Sequence, residues 1–307
     1  MRPLRQALED YLRVRRRLGF QLKTEQQLLE SFVEFMERAG AGLITSELAV
    51  KWAMLPQDAH PHRWGQRLSI VRVFARYVAT LDPDSEVPSI DLLPARRARV
   101  APYIYSPAEI TTLMKAAGQL TPPVRAALFR TVVGLMATTG LRLGEALGLD
   151  RHDVDLTDGA LHVRAGKAKQ REVPLHPTAT TALREYARCR DRYWPQPPSP
   201  AFFLNLRGER LSQSEFNHRF TKLIRHVGLE GAGERTRPRP HDLRHTMAVR
   251  TLLDWIQAGE DVDRRMPELS TFLGHVQPES TYWYLQAVPE LMALITARLQ
   301  RLPEVLP

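Results

Sequence analysis

Apolar positions recur at helical spacing along most of this chain. Leu4, Leu8, Tyr11, Leu12 and Leu18 form one such series, and Gly19 stops it, which predicts a first helix ending there. Thr24 followed by Gln27 resembles a capping box. It opens a second helix with Leu28, Leu29, Phe32, Val33, Phe35 and Met36 inward, closed by Gly40. A third begins near Ser46 and carries Leu48 and Trp52. A fourth spans about 63–80, with Leu68, Val71, Phe74, Ala75 and Val78 apolar. Its arginines Arg63, Arg67, Arg72 and Arg76 lie on several sides, so part of that set faces outward. Four short helices make a compact unit over residues 1–80.

The texture then changes. Pro83, Pro88, Pro94 and Pro102 exclude a continuous helix over 81–104, and Arg96, Arg97 and Arg99 make a basic run among them. This stretch reads as a linker, either a solvated connector or a basic strap along a phosphate backbone. A second domain, 105–307, opens with Ser106 as N-cap, Pro107 at the first helical position and Glu109 closing the box. Helices follow over about 107–117, 124–138 and 142–148. Residues 162–164 and 171–173 are strand-like and flank 166–170, which predicts a β-hairpin. Helices return at about 177–192, 212–227, 241–258, 267–273, 279–286 and 289–301. The fold class is therefore mainly α with a small antiparallel β-sheet: an all-helical N-terminal domain followed by an α+β domain.

Composition narrows the function classes. No apolar run approaches the roughly 20 residues that cross a bilayer, and charged residues precede any long apolar segment, against a signal peptide. The single cysteine, Cys189, permits no internal disulfide and suits a reducing cytoplasm. The 307 residues carry 43 Lys+Arg against 34 Asp+Glu, a formal charge of +9, and a pI near 10.0. That balance points to a polyanion, most often nucleic acid, with a merely basic protein as the plain alternative.

Five short segments carry candidate chemistry. Thr139-Gly140-Leu141-Arg142-Leu143-Gly144-Glu145 sets an arginine just after a helix-ending glycine, where it can also simply pair with Glu145. His241-Asp242-Leu243-Arg244-His245-Thr246 puts His241 and Arg244 on one helix face. Leu273-Gly274-His275 marks a helix end, where a histidine often caps carbonyls. Ser280-Thr281-Tyr282-Trp283-Tyr284 suits an aromatic core patch, and Gly166-Lys167 suits a hairpin tip. Singly these are weak signals.

Together and in this order, TGLRLGEAL, GKAKQREVPL, HDLRHT, and LGH with a tyrosine nine residues on, they resemble the tyrosine recombinase/integrase family. The resemblance covers about 105–300, and the N-terminal helices look like that family's core-binding domain. It implies an active set of Arg142, Lys167, His241, Arg244, His275 and the nucleophile Tyr284. It implies a site-specific recombinase acting on double-stranded DNA through a covalent 3′-phosphotyrosyl intermediate, in the cytoplasm at the nucleoid.

The residue types suit that chemistry. Resealing DNA without external energy needs a covalent ester, which a phenol can form. Two guanidiniums hold the non-bridging oxygens as their charge grows. Histidines donate to phosphate or exchange a proton with the phenol. The departing 5′-oxygen needs an acid, and arginine surrenders its proton poorly. In a chain with six lysines and 37 arginines, lysine stands at both 167 and 169. Both point to one side of a strand, so spacing does not choose between them; the family pattern favours Lys167. No Cys/His or carboxylate cluster suggests a metal, and no cofactor is expected. Tyr282 and Tyr284 point about 200° apart on a helix, so only one can face the phosphate; the resemblance, through its interval from His275, implies Tyr284. A type IB topoisomerase would use the same residues, and a non-catalytic DNA-binding accessory protein would keep the fold.

Strand exchange joins two duplexes, so four protomers are expected on DNA. Leu291, Met292, Leu294, Ile295 and Leu299 form an apolar stripe. It packs either on its own domain or, as the resemblance favours, on a neighbour. Two basic domains with a basic linker are expected to grip opposite faces of one duplex. Affinity for duplex DNA should accordingly fall at least ~100-fold between about 50 and 200 mM salt, through counterion release. A nearly flat response in fluorescence anisotropy would contradict this.

Overall fold

A computed structural model describes residues 3–94, 101–164, 170–229, 237–275, 277 and 279–287. The chain divides into two compact units, Met1–Arg99 and Val100–Pro307.

The first unit is built on four helices, α1 (Leu4–Arg17), α2 (Lys23–Arg38), α3 (Ser46–Ala53) and α4 (Pro61–Ala79). Their apolar faces meet in one core, where Phe32, Val33, Met36, Trp52, Leu68, Val71 and Phe74 lose all solvent contact. The capping box expected at Thr24 and Gln27 is not formed. The helix starts two residues earlier, after Leu22 in the left-handed region (φ 49°), and no side chain caps it. Thr24 thus lies inside the first turn, where its hydroxyl has no cap position to occupy.

The arginines of α4 divide by role. Arg63 and Arg76 are exposed. Arg67 lies over the Trp52 ring, 3.8 Å from its centroid. It donates to the carbonyls of Ala53 (3.1 Å) and Trp52 (3.0 Å) at the end of α3, where those oxygens lack helical partners. Arg72 is buried and donates to the carbonyls of Pro88 (2.8 Å) and Ser89 (2.7 Å). The stretch read as a linker is therefore tied to this unit near its start. Ser46 N–H donates to Glu86 as well, at 2.7 Å. Arg96, Arg97 and Arg99 lie outside the described residues.

The second unit begins with Tyr103 and Tyr105 packed edge to face, centroids 5.0 Å apart. The Ser106–Glu109 capping box is complete, with Pro107 opening α5 (Pro107–Ala117). Next come α6 (Pro123–Thr139), α7 (Leu143–Gly148), a 3-10 turn (Arg151–Asp153) and three strands. These are β1 (Val154–Asp155), β2 (Ala160–Val163) and β3 (Arg171–Pro174), antiparallel in that order, with Ala160 opposite Pro174 and Val163 opposite Arg171. The expected hairpin is present as β2 and β3, though β2 starts at Ala160 and Arg164 falls outside it. The two-residue β1 was not expected. Its turn is held by Asp155, whose carboxylate accepts from the N–H groups of Thr157 (2.8 Å) and Asp158 (2.9 Å), with Gly159 at φ 69°.

The remaining helices are α8 (Pro177–Tyr193), α9 (Gln213–His226), α10 (Pro240–Gln257), α11 (Val262–Leu273) and α12 (Glu279–Ala287). The largely apolar α6 packs against α5, α8 and α10. Phe129 on α6 stacks on Phe216 of α9 at 4.9 Å. A smaller core joins α10, α11 and α12 through Ala248, Val249, Leu252, Met266, Leu269, Leu273 and Tyr284. α11 starts at Val262 rather than at Pro267, because Asp261 caps it by accepting from Arg264 N–H (3.2 Å). Pro267 then removes one hydrogen bond in the second turn, while Met266 and Leu269 hold that turn in the core. The expected helix over 289–301 lies outside the described residues. Among the described residues, no helix is long and apolar enough to cross a membrane.

Candidate active site

Two glycines build the frame of the site. Gly140 ends α6 at φ 62° and Gly274 ends α11 at φ 68°, both left-handed positions that favour glycine. Neither has room for a side chain. A Cβ at Gly140 would stand 2.8 Å from Leu273, and one at Gly274 would stand 2.6 Å from the Arg171 guanidinium. The two helix ends expose carbonyl oxygens with partial negative charge, and arginines meet them. Arg244, from α10, is 1 % exposed and donates to Gly140 O at 2.6 Å and Leu273 O at 2.8 Å. Arg142, the N-cap residue of α7, donates to Gly274 O at 3.2 Å and to Glu145 at 2.8 Å.

Glu145 organises the remaining positive charge. Its carboxylate accepts from both terminal nitrogens of Arg171 (2.9 and 3.2 Å) and from Arg142 N–H (3.0 Å). Arg171 also donates from Nε to Phe272 O at 3.0 Å, which fastens the start of β3 to the end of α11. Burial alone would raise the Glu145 pKa, but the Arg171 bonds, the Arg142 N–H and the adjoining charges bring it down to about 2. Three guanidiniums thus gather around one carboxylate, and the surplus is positive. Burial and then Arg142 lower Arg244 to about 10, so it stays charged at neutral pH.

The aromatic side of the site comes from α10 and α12. Tyr284 is 2 % exposed, and its hydroxyl lies 3.0 Å from Nδ1 of His245. Burial raises the phenol's pKa, opposed by Arg244 and Arg142. His275 stacks beside the Tyr284 ring, centroids 6.3 Å apart, and its Nδ1 contacts the Thr281 hydroxyl at 2.6 Å. His241 meets His245 edge to face at 4.6 Å. Protein packed around the His241 ring, and then Arg244, Arg142 and Arg239, hold its pKa down to about 4, although one side of the residue is open to solvent. Burial and then Arg244 and Arg142 put His275 at about 4. Both imidazoles are neutral at pH 7. Tyr282 is 39 % exposed, on another side of α12.

Five sequence-predicted residues, Arg142, His241, Arg244, His275 and Tyr284, therefore converge. Lys167 and its alternative Lys169 lie outside the described residues; the strands flanking them end at Val163 and begin at Arg171. Sequence reasoning passed over two contributors. Arg171 shares a strand face with buried Val173, so period-two alternation points it inward. His245 follows His241 by one helical turn, a spacing that puts both on one face.

A profile of the phage integrase family matches residues 105–290. The chain belongs to that family, the tyrosine-type site-specific recombinases. It is 40% identical to the integrase/recombinase-class protein y4rB of Sinorhizobium fredii, over 98% of both chains. It is 30% identical to the tyrosine recombinase XerC of Chlamydia trachomatis serovar L2, over 71% of this chain and 65% of that protein. The fold matches the XerH site-specific recombinase bound to a palindromic difH substrate, with a TM-score of 0.67 at 16% identity, covering 91% of this chain and 80% of that one. The recombinase's second unit brings three guanidiniums, three imidazoles and a phenol into one polar cluster.

The depressed pKa of Glu145 makes its contribution pH-dependent. Because the folded value (about 2) lies below the ordinary 4.5, its stabilisation is complete above about pH 4.5 and is lost as pH falls towards 2. Glu145→Gln should destabilise the second unit by about 3 kcal/mol at pH 7. In urea denaturation the gap from wild type should narrow steadily below pH 4.5. A gap that stays constant to pH 3 would show that the carboxylate's charge is not what matters.

Proposed function

We propose that this recombinase cuts duplex DNA with Tyr284 and reseals it after exchanging strands between two duplexes. The observation that carries this reading is the convergence of Arg142, Arg244 and a buried phenol within one hydrogen-bonded frame. Arg244 is fixed by two carbonyls and Arg142 by Glu145 and Gly274. Fixed donors stabilise the charge that grows on a pentavalent phosphorus without reorganising during the reaction. Tyr284 attacks the phosphorus, the P–O5′ bond breaks, and the strand's 3′ phosphate stays on the phenol. Lys167, with Lys169 as alternative, protonates the departing 5′-oxygen; His241 and His275 donate to the phosphate. The ester conserves the bond energy, so the partner strand's 5′-hydroxyl reverses the step with no cofactor or metal. The relatives are recombinases, which supports strand exchange over supercoil relaxation.

Both units contribute to binding in this reading, and four protomers gather on DNA within the nucleoid. The apolar stripe of 289–302 docks on a neighbouring protomer and couples the placement of Tyr284 to assembly.

A selection that finds its own target site tests the nucleophile. Nicked suicide duplexes with a randomised central stretch are incubated with wild type, and those captured covalently are sequenced. On the selected duplex, Tyr284→Phe should bind as wild type does and form no covalent adduct, while Tyr282→Phe should still form one. An adduct that persists in Tyr284→Phe and disappears in Tyr282→Phe would reassign the nucleophile. Failure of the wild type to capture any duplex would favour a DNA-binding accessory role. Deleting 289–307 should abolish recombination between two such sites and leave single-site binding intact. Full recombination by that truncation rejects the assembly role.

A further inference from the structure

The cut requires the phenol of Tyr284 to lose a proton, and the aromatic cluster contains three imidazoles that differ in how they meet it. His275 lies nearly parallel to the Tyr284 ring, at an interplanar angle of 24° and a centroid distance of 6.3 Å. Its ring nitrogens lie in its own plane, and Nδ1 is already taken up by Thr281 at 2.6 Å. His241 meets His245, not the tyrosine, with rings edge to face at 4.6 Å. His245 places Nδ1 3.0 Å from the Tyr284 hydroxyl, within direct hydrogen-bond reach. Trp283 packs edge to face against the same ring at 5.7 Å, and Tyr284 does so at 5.4 Å, so the imidazole is held between α10 and α12.

From this geometry we propose that His245 is the catalytic proton acceptor for Tyr284, a deepening that rests on Tyr284 being the nucleophile. In the cutting step the phenolic O–H bond breaks and its proton passes to His245 Nδ1. The phenolic oxygen forms its bond to phosphorus, the P–O5′ bond breaks, and the 5′-oxygen takes a separate proton from the lysine acid. Resealing returns the His245 proton to the departing phenol. The roles of the histidines thereby separate: His241 and His275 serve the phosphate, and His245 serves the nucleophile.

The surroundings support the assignment. Burial and then His241, Arg239, Arg244 and His275 hold His245 down to about 3. In the free protein it is therefore neutral, with a lone pair available to accept. A phosphate seated beside Arg244 offsets part of the positive charge that adds to burial in keeping this imidazole weak, so its basicity rises when DNA is bound. His241, exposed and in edge contact with His245, leads onward to solvent.

The test uses full-length protein and the duplex captured by wild type in the covalent selection. His245→Ala should bind that duplex with unchanged affinity and form adduct about 10²–10⁴-fold more slowly, the span of general-base contributions. His245→Asn keeps an accepting atom near the Nδ1 position but takes no proton, and should be slowed to a similar degree. Added imidazole should speed His245→Ala at least ~10-fold and leave wild type unchanged. A substrate with sulfur at the bridging 5′ position needs no acid; it should rescue a Lys167→Ala, Lys169→Ala double variant and not His245→Ala. Wild-type speed in either His245 variant overturns the proposal, and in His245→Asn it would leave only a positioning bond. If Tyr284→Phe still forms adduct, the nucleophile reading fails instead, independently of His245. The contact is also checked without DNA: the ¹⁵N resonance of His245 Nδ1 should shift between wild type and Tyr284→Phe, and an unchanged resonance would overturn the geometry.

Discussion

The site depends on one guanidinium joining two helix ends. Arg244 leaves α10 inside the protein and donates to the last carbonyls of α6 and α11. Those oxygens have no partner within their own helices, and a buried acceptor left unpaired costs about 1–3 kcal/mol. The pairing therefore sets the separation of the two helix ends and orients the guanidinium at once. Everything functional is referred to this joint. Gly140 on one side leads within two residues to Arg142, and Leu273 on the other leads within two residues to His275. A lysine would not replace it, since a single ammonium cannot present two donors in a fixed fork.

A second tie runs through Glu145. It is the carboxylate that lets Arg142 and Arg171 lie close without driving each other apart, and Arg171 in turn reaches Phe272 O. The start of β3, the start of α7 and the end of α11 are fastened by charge-assisted bonds. Arg171, the first residue of β3, is thus anchored both to Glu145 and to the end of α11.

What was legible in the sequence was periodic or punctuated. Apolar spacing placed the helices of both units, the Ser106–Glu109 box placed α5, and Gly140 and Gly274 placed the helix ends that carry Arg142 and His275. The ordered set of motifs brought five distant residues to one site. What was illegible depended on partners far along the chain. Thr24 looked like a cap because Leu22 gave no sign of its left-handed backbone. Pro267 looked like a start because the local pattern did not weigh the Asp261 cap against one missing hydrogen bond. Arg171 and His245 were visible as letters, but only their contacts with Glu145 and Tyr284, 26 and 39 residues away, give them meaning.

The arginines of α4 carry a last consequence, concerning charge as a measure of affinity. Arg67 and Arg72 spend their donors on backbone oxygens, as do Arg190 on Phe202 and Arg210 on Leu147 and Leu149. Such cations act as cross-braces between segments of chain. They count fully in the formal +9, yet the donors they give to carbonyl oxygens are not free for a phosphate backbone. The number of arginines free to contact a ligand directly is therefore smaller than the arginine count suggests. Its arginine richness is in part a scaffold property, chosen by the geometry of carbonyl groups and not by the ligand.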